Sequence, residues 1–398
     1  MKNLNNYIIK NKKILFRADL NVPVLDGVIA DTSRIAAVKS SIEKLIYNKN
    51  KIFLIAHYGR PNGEFIKKYS LNFILPLLKE ILSLDKVYFL ENIDQESIER
   101  TYNQMQENSL CLIENIRFFK EEEKIDFDFA KKISSLFDVY VNDAFSASHR
   151  NHTSITGFSK FLPAVAGDHM IKEINNINFF LKNAKKPNLA IVGGSKISTK
   201  IKLLNNLIEQ FSAVAIGGAM ANTFLLANKN NIGKSLVEEG LIQEAKKIKE
   251  KSKKLNCKLI LPVDVMCGKN FYDTNPVYRK INEVLSDEII LDIGKDSTLF
   301  INNKIISSKM VLWNGPVGAF EFKPYDKATN SIAKTFKLNA KKLNINTLAG
   351  GGDTVSAIKS TNAEEGFNYI SNAGGAFLEW LEGNESPGVK SLKENNLF

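Results

Sequence analysis

The chain has 398 residues, of which 44% are hydrophobic and 24% are charged, and its formal net charge is +11. This composition excludes intrinsic disorder. With no run of 18 apolar residues and no apolar region near the N-terminus, it also predicts a cytoplasmic protein without a membrane partner. The three cysteines, Cys111, Cys257 and Cys267, form no CxxC pair, which argues against a disulfide framework or a thiolate metal site.

The first half of the chain alternates short β-branched runs with helical patterns. Strands are predicted over 12–19, 51–56, 86–90, 109–115 and 138–143, and amphipathic helices over 31–47, 70–84 and 127–137, the first of them capped. This alternation predicts a parallel sheet with right-handed crossovers. One long helix over 168–187, ended by a proline, is predicted to connect two domains.

The alternation resumes after this connector. Strands are predicted over 188–194, 212–218, 257–264, 310–315 and 345–351, and helices over 197–211, 236–255, 325–336 and 354–360. A chain of this length exceeds what one hydrophobic core usually organises. The prediction is therefore an α/β protein with two parallel-sheet domains, over residues 1–167 and 188–375.

Polar residues follow the strands of the first half, in FRADLN (16–21), AHYGRP (56–61), ENIRFF (114–119) and NDAFSASHR (142–150). Ligands of open α/β sheets bind at the carboxyl ends of the strands. Arginine presents a planar fork of donors that matches phosphate and carboxylate oxygens. These segments and the first helix supply Arg17, Arg34, Arg60, Arg117 and Arg150, with Asp19, Asn21 and His57. Surface ion pairs would explain any one arginine, but the set predicts a site for a small phosphorylated acid.

Glycines follow the strands of the second half, in AIVGGSK (190–196), AIGGAM (215–220), VLWNGPVGAFE (311–321) and TLAGGGDT (347–354). Glycine lets backbone N–H groups approach phosphate oxygens closely at a helix N-terminus. Asp353 is placed to hold Mg²⁺, and Glu321 is a candidate acceptor for ribose hydroxyls. Lys196 and Lys200 are predicted to lie one helical turn apart on the same face. The alternatives are glycine turns with an Asp N-cap and solvated lysines.

Two other classes of protein are disfavoured. The segment Ile232–Ser235 ends like a phosphate-binding P-loop, but Asn228 occupies the required upstream glycine position, and no GxGxxG pattern follows the first strand, as a dinucleotide-dependent dehydrogenase would require. The positive charge favours a nucleic-acid-binding protein, but the lysines are not interleaved with aromatic residues along one element. No nucleic-acid partner is predicted.

The chain resembles the phosphoglycerate kinase family over essentially its whole length. Nine blocks in the family's order carry the resemblance: FRADLNVPVLDG (16–27), DTSRI (31–35), AHYGRP (56–61), ENIRFFKEEE (114–123), NDAFSASHRNH (142–152), IVGGSKISTK (191–200), WNGPVGAFE (313–321), AGGGDT (349–354) and SPGV (386–389).

The resemblance implies two doubly wound, Rossmann-like domains that face a cleft and close by hinge bending, with segment 376–398 returning to the N-terminal domain. It implies a monomeric glycolytic enzyme. The reaction is reversible, Mg²⁺-dependent phosphoryl transfer between 1,3-bisphosphoglycerate with ADP and 3-phosphoglycerate with ATP. Because the acceptor carboxylate is already ionised at neutral pH, this reaction needs no general base.

The resemblance also implies the residues of the two sites by position. The phosphoglycerate site comprises Asp19, Leu20, Asn21, Arg34, His57, Tyr58, Gly59, Arg60, Arg117 and Arg150. The nucleotide site comprises Gly194, Ser195, Lys196, Lys200, Gly218, Asn314, Glu321, Gly351, Gly352, Asp353 and Thr354, with Asp353 as the metal ligand. The catalytic groups are Arg34, Lys200, Gly352 and Gly375.

Several positions depart from the family's usual pattern: Ala56, Tyr58, Ser146, Ser195, Thr199, Lys295 and Asn372–Ala373. None removes a charged group assigned to substrate. The Asn372–Ala373 change is expected to weaken anion stabilisation at the helix N-terminus that follows it.

Overall fold

The structure, a computed structural model, describes residues 1–182 and 185–397. The chain divides into two compact units. Unit 1 comprises Met1–Asn175 and Glu385–Phe398, and unit 2 comprises Asn176–Asn384. The division falls within one helix, whereas the sequence analysis set the domain limits at residues 167, 188 and 375.

Unit 1 contains a six-stranded parallel sheet and a short hairpin. The strands are β1 (Lys13–Arg17), β2 (Val24–Leu25), β3 (Val28–Ile29), β4 (Lys51–Ile55), β5 (Lys86–Leu90), β6 (Ser109–Ile113), β7 (Val139–Asn142) and β8 (Ala164–Ala166). The sheet has the order β5-β6-β4-β1-β7-β8, and β2 pairs with β3. Strands β4 and β6 are nearly continuous runs of buried apolar residues, because helices cover both faces of a parallel sheet.

The helices of this part of the chain are α1 (Ser33–Ala37), α2 (Lys39–Tyr47), α3 (Leu75–Ile81), α4 (Gln95–Gln104), α5 (Phe127–Ser134), α6 (Asp168–Lys182) and α14 (Pro387–Lys393). The helix predicted over 31–47 is split at Val38. Thr32, at the N-cap position, makes no capping hydrogen bond, but Asp31 Oδ1 accepts the N–H of Ser33, the first residue of α1, at 2.8 Å. The predicted connecting helix ends at Lys182; residues 185–187 are not helical, and residues 183 and 184 of that prediction lie outside the described residues. Sequence analysis missed α4, because Ile98 is the only buried apolar residue in this polar helix.

Unit 2 contains a second six-stranded parallel sheet. Its strands are β9 (Asn188–Val192), β10 (Ala213–Ile216), β11 (Lys258–Ile260), β15 (Met310–Asn314), β16 (Asn346–Gly350) and β17 (Tyr369–Ser371), in the order β11-β10-β9-β15-β16-β17. The prediction of two doubly wound parallel sheets is confirmed. Separate from this sheet, β12 (Asp264–Gly268), β13 (Val277–Lys280) and β14 (Ile289–Ile293) form an antiparallel sheet that the sequence analysis missed.

The helices of unit 2 are α7 (Ile201–Gln210), α8 (Met220–Ala227), α9 (Ile242–Lys254), α10 (Lys295–Ile306), α11 (Lys327–Asn339), α12 (Gly352–Ser360) and α13 (Gly375–Leu381). The sequence analysis did not predict α8 or α10, but it expected a helix N-terminus after Asn372–Ala373, where α13 begins. Helix α8 is apolar almost all round and six of its eight residues are buried, so it lacks the one-sided periodicity by which surface helices are recognised.

Each sheet reverses its strand order at one point, and that point positions the candidate site. In unit 1 the chain adds β4 on one side of β1 and later β7 on the other. In unit 2 it adds β10 on one side of β9 and later β15 on the other. Such reversals leave a crevice at the carboxyl ends of the strands, where open α/β sheets bind ligands.

The C-terminal segment packs within unit 1. The Asn395 side-chain amide donates to the backbone oxygens of Ser159 (2.7 Å) and Leu162 (2.9 Å), and the Gly388 N–H donates to the Ser148 oxygen at 2.9 Å. In the part of the chain that the structure describes, no helix is long and apolar enough to cross a membrane.

Candidate active site

Asp19 organises the polar side chains that follow β1. Its carboxylate accepts hydrogen bonds from the Arg34 guanidinium, the Ser146 hydroxyl and, at 2.9 Å, the Asn21 N–H. Burial alone would raise the pKa of Asp19, but the charge of Arg34 and these hydrogen bonds hold it well below its usual range. Asp19 is therefore an anion that orients Arg34, and Arg34 keeps 28% of its side chain exposed.

The backbone at Gly59 is held from two sides. The Gly59 N–H donates to Asn21 Oδ1 at 3.0 Å, and the Arg117 guanidinium donates to the Gly59 oxygen at 2.6 Å. Arg117 also pairs with Glu123, with 3.2 Å between Nε and Oε1. The segments that follow β1, β4 and β6 are thus tied together, as predicted for strand ends at one sheet edge.

His57, which follows β4, lies among positive charges. Its pKa is lowered well below the usual value, first by burial and then by the charge of Arg17, with further contributions from Arg117 and Arg150. Arg17 itself is 1% exposed, and its guanidinium contacts Ser154, the Ala18 oxygen and His57. The expectation that Arg17 faces a ligand is wrong, because internal groups engage all three of its nitrogens.

The other arginines leave donors for a ligand. Among the described residues, the side chains of Arg60 and Arg150 make no hydrogen bond or ion pair. Burial, together with the charge of Arg150, lowers the pKa of Arg117 to about 10. Like charges lower a cation's pKa because they repel, and a bound anion would relieve the repulsion. This edge of unit 1 is therefore suited to an anion.

Two predicted substrate residues have apolar surroundings. The Leu20 side chain is fully buried in the core of unit 1. The Tyr58 ring packs against Phe73 and Tyr69, with centroid distances of 5.1 and 6.3 Å. The structure does not place either side chain among the polar groups of the site.

In unit 2 the strand ends meet backbone to backbone. The Gly193 N–H donates to the Asn314 oxygen at 2.9 Å, and a Cβ atom on Gly193 would lie 1.8 Å from the Pro316 oxygen. A Cβ atom on Gly315 would lie 2.2 Å from the Gly193 oxygen. No side chain fits between the ends of β9 and β15, which explains the glycines at both positions.

Asn314 and Lys200 form the polar centre of this glycine cluster. The Lys200 ammonium donates to Asn314 Oδ1, and the Asn314 amide donates to the Gly350 oxygen at 2.7 Å. Burial lowers the pKa of Lys200 to about 8, although the carboxylates of Glu382 and Asp353 act in the opposite direction. Asn314 thus fixes the direction of a half-buried ammonium.

The predicted helical face with Lys196 and Lys200 is wrong. Helix α7 begins at Ile201, and residues 197–200 form a turn before it. Ser195 and Lys196 are exposed, whereas Lys200 is half-buried. The Ser198 N–H and hydroxyl both donate to Glu238, at 2.9 and 2.6 Å, so this loop is held by a carboxylate that sequence analysis did not identify.

The fourth glycine segment, TLAGGGDT (347–354), opens α12. Gly351, at its N-cap position, has a φ of 98°, which favours glycine, and Gly352 and Asp353 are exposed in its first turn. Thr354 is buried, and its hydroxyl oxygen accepts the Gly315 N–H at 2.6 Å. The predicted Asp N-cap alternative is therefore wrong. Gly375 is exposed at the first position of α13.

A cavity of about 290 Å³ joins these segments within unit 2. Gly194, Ser195, Gly218, Glu321 and Asp353 are the predicted site residues that line it. Sequence analysis missed the apolar wall, which includes Leu225, Leu236, Phe271, Ile290 and Val317. Apolar walls with polar groups at particular points are typical of sites that bind an organic ligand.

Apart from Val317, which lies in the glycine segment VLWNGPVGAFE (311–321), the missed wall residues named above come from elements without a glycine signal. The wall includes β14, from Ile289 to Ile293, whose apolar run resembles any core strand in the sequence. Within it, burial raises the pKa of Asp292 to about 8. Asp292 accepts the N–H groups of Ile293 (2.9 Å) and Ala328 (3.0 Å) and so supports the start of α11.

Known proteins match at least 98% of this chain. Phosphoglycerate kinases from Rhizobium meliloti and Caulobacter vibrioides are each 42% identical to it, over 391 and 393 residues, which cover 98% of this chain and 97% and 99% of theirs. The structure of phosphoglycerate kinase from Coxiella burnetii matches with a TM-score of 0.88 and 34% identity, covering 98% of both chains. That of phosphoglycerate kinase from Pyrococcus horikoshii OT3 matches with a TM-score of 0.83 and 27% identity over 100% of both chains.

A family model described as phosphoglycerate kinase matches residues 4–384, which include both strand-end clusters. The chain belongs to the phosphoglycerate kinase family.

Proposed function

We propose that this protein transfers a phosphoryl group reversibly between 1,3-bisphosphoglycerate with ADP and 3-phosphoglycerate with ATP, with Mg²⁺ bound to the nucleotide. The observation that carries the proposal is the pair of different sites at the two strand-order reversals. Unit 1 offers arginine side chains to a small anion, and unit 2 offers glycine backbone beside an apolar cavity to a nucleotide.

In unit 1, Arg60 and Arg150 engage the phosphate or carboxylate of phosphoglycerate, because their donors have no partner among the described residues. Arg117, His57 and Asn21 complete the pocket, and Asp19 holds Arg34 in place. Leu20, Tyr58 and Gly59 contribute backbone and shape. A ligand with two anionic ends fits the excess of positive charge.

In unit 2, the nucleoside occupies the cavity of about 290 Å³, with Glu321 at the ribose. The phosphates lie along Gly194, Ser195 and Gly218 and reach the start of α12, where backbone N–H groups and the helix dipole favour negative charge. Lys196 and Lys200 supply ammonium groups to the phosphates, and Asn314 and Thr354 hold the loops around them.

Asp353 fits a role as the protein ligand of the nucleotide-bound Mg²⁺. It is exposed at the cavity, beside the phosphate position proposed above. Among residues 1–182 and 185–397, no group of three His, Cys, Asp or Glu side chains could hold a metal ion. This agrees with a Mg²⁺ that takes one carboxylate from the protein and its other ligands from phosphate and water, where it neutralises phosphate charge.

Catalysis then rests on positioning and charge neutralisation. The carboxylate of 3-phosphoglycerate attacks the γ-phosphorus directly, since it carries no proton to be removed. Arg34 and Lys200 contact the transferring group, and the N–H groups of Gly352 and Gly375 stabilise its charge. The domain closure that brings the two substrates together stays a prediction, as do the monomeric state and cytoplasmic location.

An assay of ADP formation from ATP and 3-phosphoglycerate, coupled to an enzyme that consumes ADP, tests the proposal. We expect ADP formation that requires both substrates and Mg²⁺, and little activity with glycerate, which lacks the phosphate that the arginines bind. Absence of 3-phosphoglycerate-dependent ADP formation, with calorimetry showing that both ligands bind, would contradict it.

A further inference from the structure

Arg17 is a buried cation at the point where unit 1 reverses its strand order. It is the last residue of β1 and is 1% exposed. Its Nε donates to Ser154 Oγ at 2.9 Å, and one terminal nitrogen donates to the Ala18 oxygen. The other terminal nitrogen lies 3.2 Å from His57 Nδ1.

The buried carboxylate of Glu122 accepts hydrogen bonds from Ser154, the residue that contacts Arg17 Nε. The Ser154 hydroxyl donates to Glu122 Oε1 at 2.6 Å, and the Ser154 N–H donates to Glu122 Oε2 at 2.8 Å. Glu122 is fully buried, so its charge stabilises Arg17 through the intervening hydroxyl. The chain Glu122, Ser154, Arg17 and His57 runs from the interior of unit 1 to the strand ends.

The direction of the last hydrogen bond follows from chemistry. A guanidinium carries five N–H donors, has no acceptor and is not deprotonated in proteins. His57 Nδ1 must therefore be the acceptor, and the ring proton must lie on Nε2. No hydrogen bond from His57 Nε2 to another group is found among the residues that the structure describes, so this N–H is left for a ligand.

The charged groups around His57 favour a neutral ring. Burial opposes its protonation, as do the charges of Arg17 on β1, Arg117 after β6 and Arg150 after β7, whereas Asp19 acts in the opposite direction. A phosphate or carboxylate bound nearby would favour the imidazolium form. The contact with Arg17 opposes this change, because a protonated Nδ1 would point its hydrogen at the guanidinium.

We propose that Arg17 is a positioning residue that holds His57 as the neutral Nε2–H tautomer, so that His57 presents one fixed donor to the anionic substrate. The identity of that substrate rests on the proposed function, but the tautomer does not.

The tautomer is measured in the unmodified protein without substrate. ¹⁵N NMR of protein labelled at histidine, with the signals assigned by loss in His57→Gln, reports each ring nitrogen separately. We expect a pyridine-type signal from Nδ1 and a pyrrole-type signal from Nε2, both unchanged from pH 8 to about pH 5.5 and after addition of 3-phosphoglycerate. A protonated Nδ1, or a doubly protonated ring at pH 7, would overturn the proposal. This result does not depend on activity.

Substitutions of Arg17 test whether this residue is the cause of the His57 tautomer. In Arg17→Gln the amide is able to donate or accept and carries no charge, so we expect mixed tautomers and a His57 pKa higher than in the unmodified protein, although burial, Arg117 and Arg150 still lower it. Arg17→Lys retains a charged donor and should restore much of the Nε2–H signal. If His57 keeps one tautomer in Arg17→Gln, Arg17 is not the cause.

A milder variant separates positioning from folding. Ser154→Ala removes the link between Arg17 and Glu122, so we expect mixed neutral tautomers of His57. KM for 3-phosphoglycerate should rise severalfold above pH 8, where the ring is neutral, and less below pH 7, where a protonated His57 donates from both nitrogens, with kcat nearly constant. The control is Ser134→Ala, a buried serine whose hydroxyl has no partner among the described residues. An equal rise at every pH would mean that Ser154 acts only through structure.

Discussion

The two strand-order reversals present ligands with different kinds of group. At the reversal of unit 1, side chains bind side chains: Asp19 holds Arg34, and Arg17 contacts His57. At the reversal of unit 2, backbone packs on backbone, with Gly315 against Gly193 and Gly218 against Gly194. One edge is built from charges on long side chains, the other from N–H groups that glycine leaves accessible.

The difference follows from the ligands that we propose. A small acid with a charge at each end needs donors that reach it from several directions, which arginines provide. A polyphosphate chain runs along a surface, and successive backbone N–H groups and a helix N-terminus match it at no cost in side-chain entropy. In unit 2 the exception is Lys200, a side-chain charge held among backbone groups.

The largest effect is expected when the Lys200 ammonium is removed. We expect Lys200→Ala to lower kcat about 10²- to 10³-fold while the nucleotide dissociation constant changes only severalfold, because the ammonium stabilises charge that develops in the transition state. Steady-state kinetics and calorimetry with ATP measure the two quantities. The control is Lys202→Ala, an exposed lysine two residues along the chain. A nearly unchanged kcat would remove Lys200 from the mechanism.

The backbone contact of unit 2 should be intolerant of a single methyl group. Gly193→Ala places a Cβ atom 1.8 Å from the Pro316 oxygen, so we expect the free energy of unfolding to fall by about 3 kcal/mol. Gly240→Ala is the control, because its Cβ atom would meet nothing within 4 Å. Urea unfolding followed by circular dichroism compares them; equal stability of the two variants would mean that the β9 and β15 ends separate easily.

The unit 1 edge should be sensitive to side-chain geometry rather than to charge alone. We expect Arg34→Lys to lower kcat/KM for 3-phosphoglycerate about 10- to 100-fold, since lysine keeps the charge but loses the planar fork that engages Asp19 and the phosphoryl oxygens. Arg100→Lys, at an exposed position on α4, controls for the substitution itself. If Arg34→Lys retains full activity, Arg34 acts as a point charge.

The smallest effect is a dependence on pH. Burial lowers the pKa of Lys200 to about 8, so the ammonium is present below this pH and lost above it. We expect kcat/KM for ATP, which reports the free enzyme, to fall up to tenfold per pH unit above about pH 8. In the complex with ATP, the phosphate charge raises the pKa of Lys200, so kcat should stay constant up to a higher pH than kcat/KM. Lys200→Arg should abolish the fall in kcat/KM; its persistence would assign the titration to another group.

Much of this protein was determined by the sequence alone. Buried strands such as β4 and β9 are continuous apolar runs, and polar or glycine residues follow them directly. A strand with apolar residues on both faces must lie inside a parallel sheet, so the order of these segments fixed the fold class and the edge where ligands bind. The motif blocks identified the family.

Tertiary structure decided which residues face a ligand. Arg17 and Arg60 are equivalent strand-end arginines in the sequence, yet Arg17 is 1% exposed and supports His57, whereas Arg60 is exposed. Glu122, Glu238 and Asp292 act through residues 32 to 40 positions away, which no local pattern reports. Sequence periodicity records burial of an element against the core. The partner of a buried charge depends on which strands become neighbours, and only the folded chain fixes that.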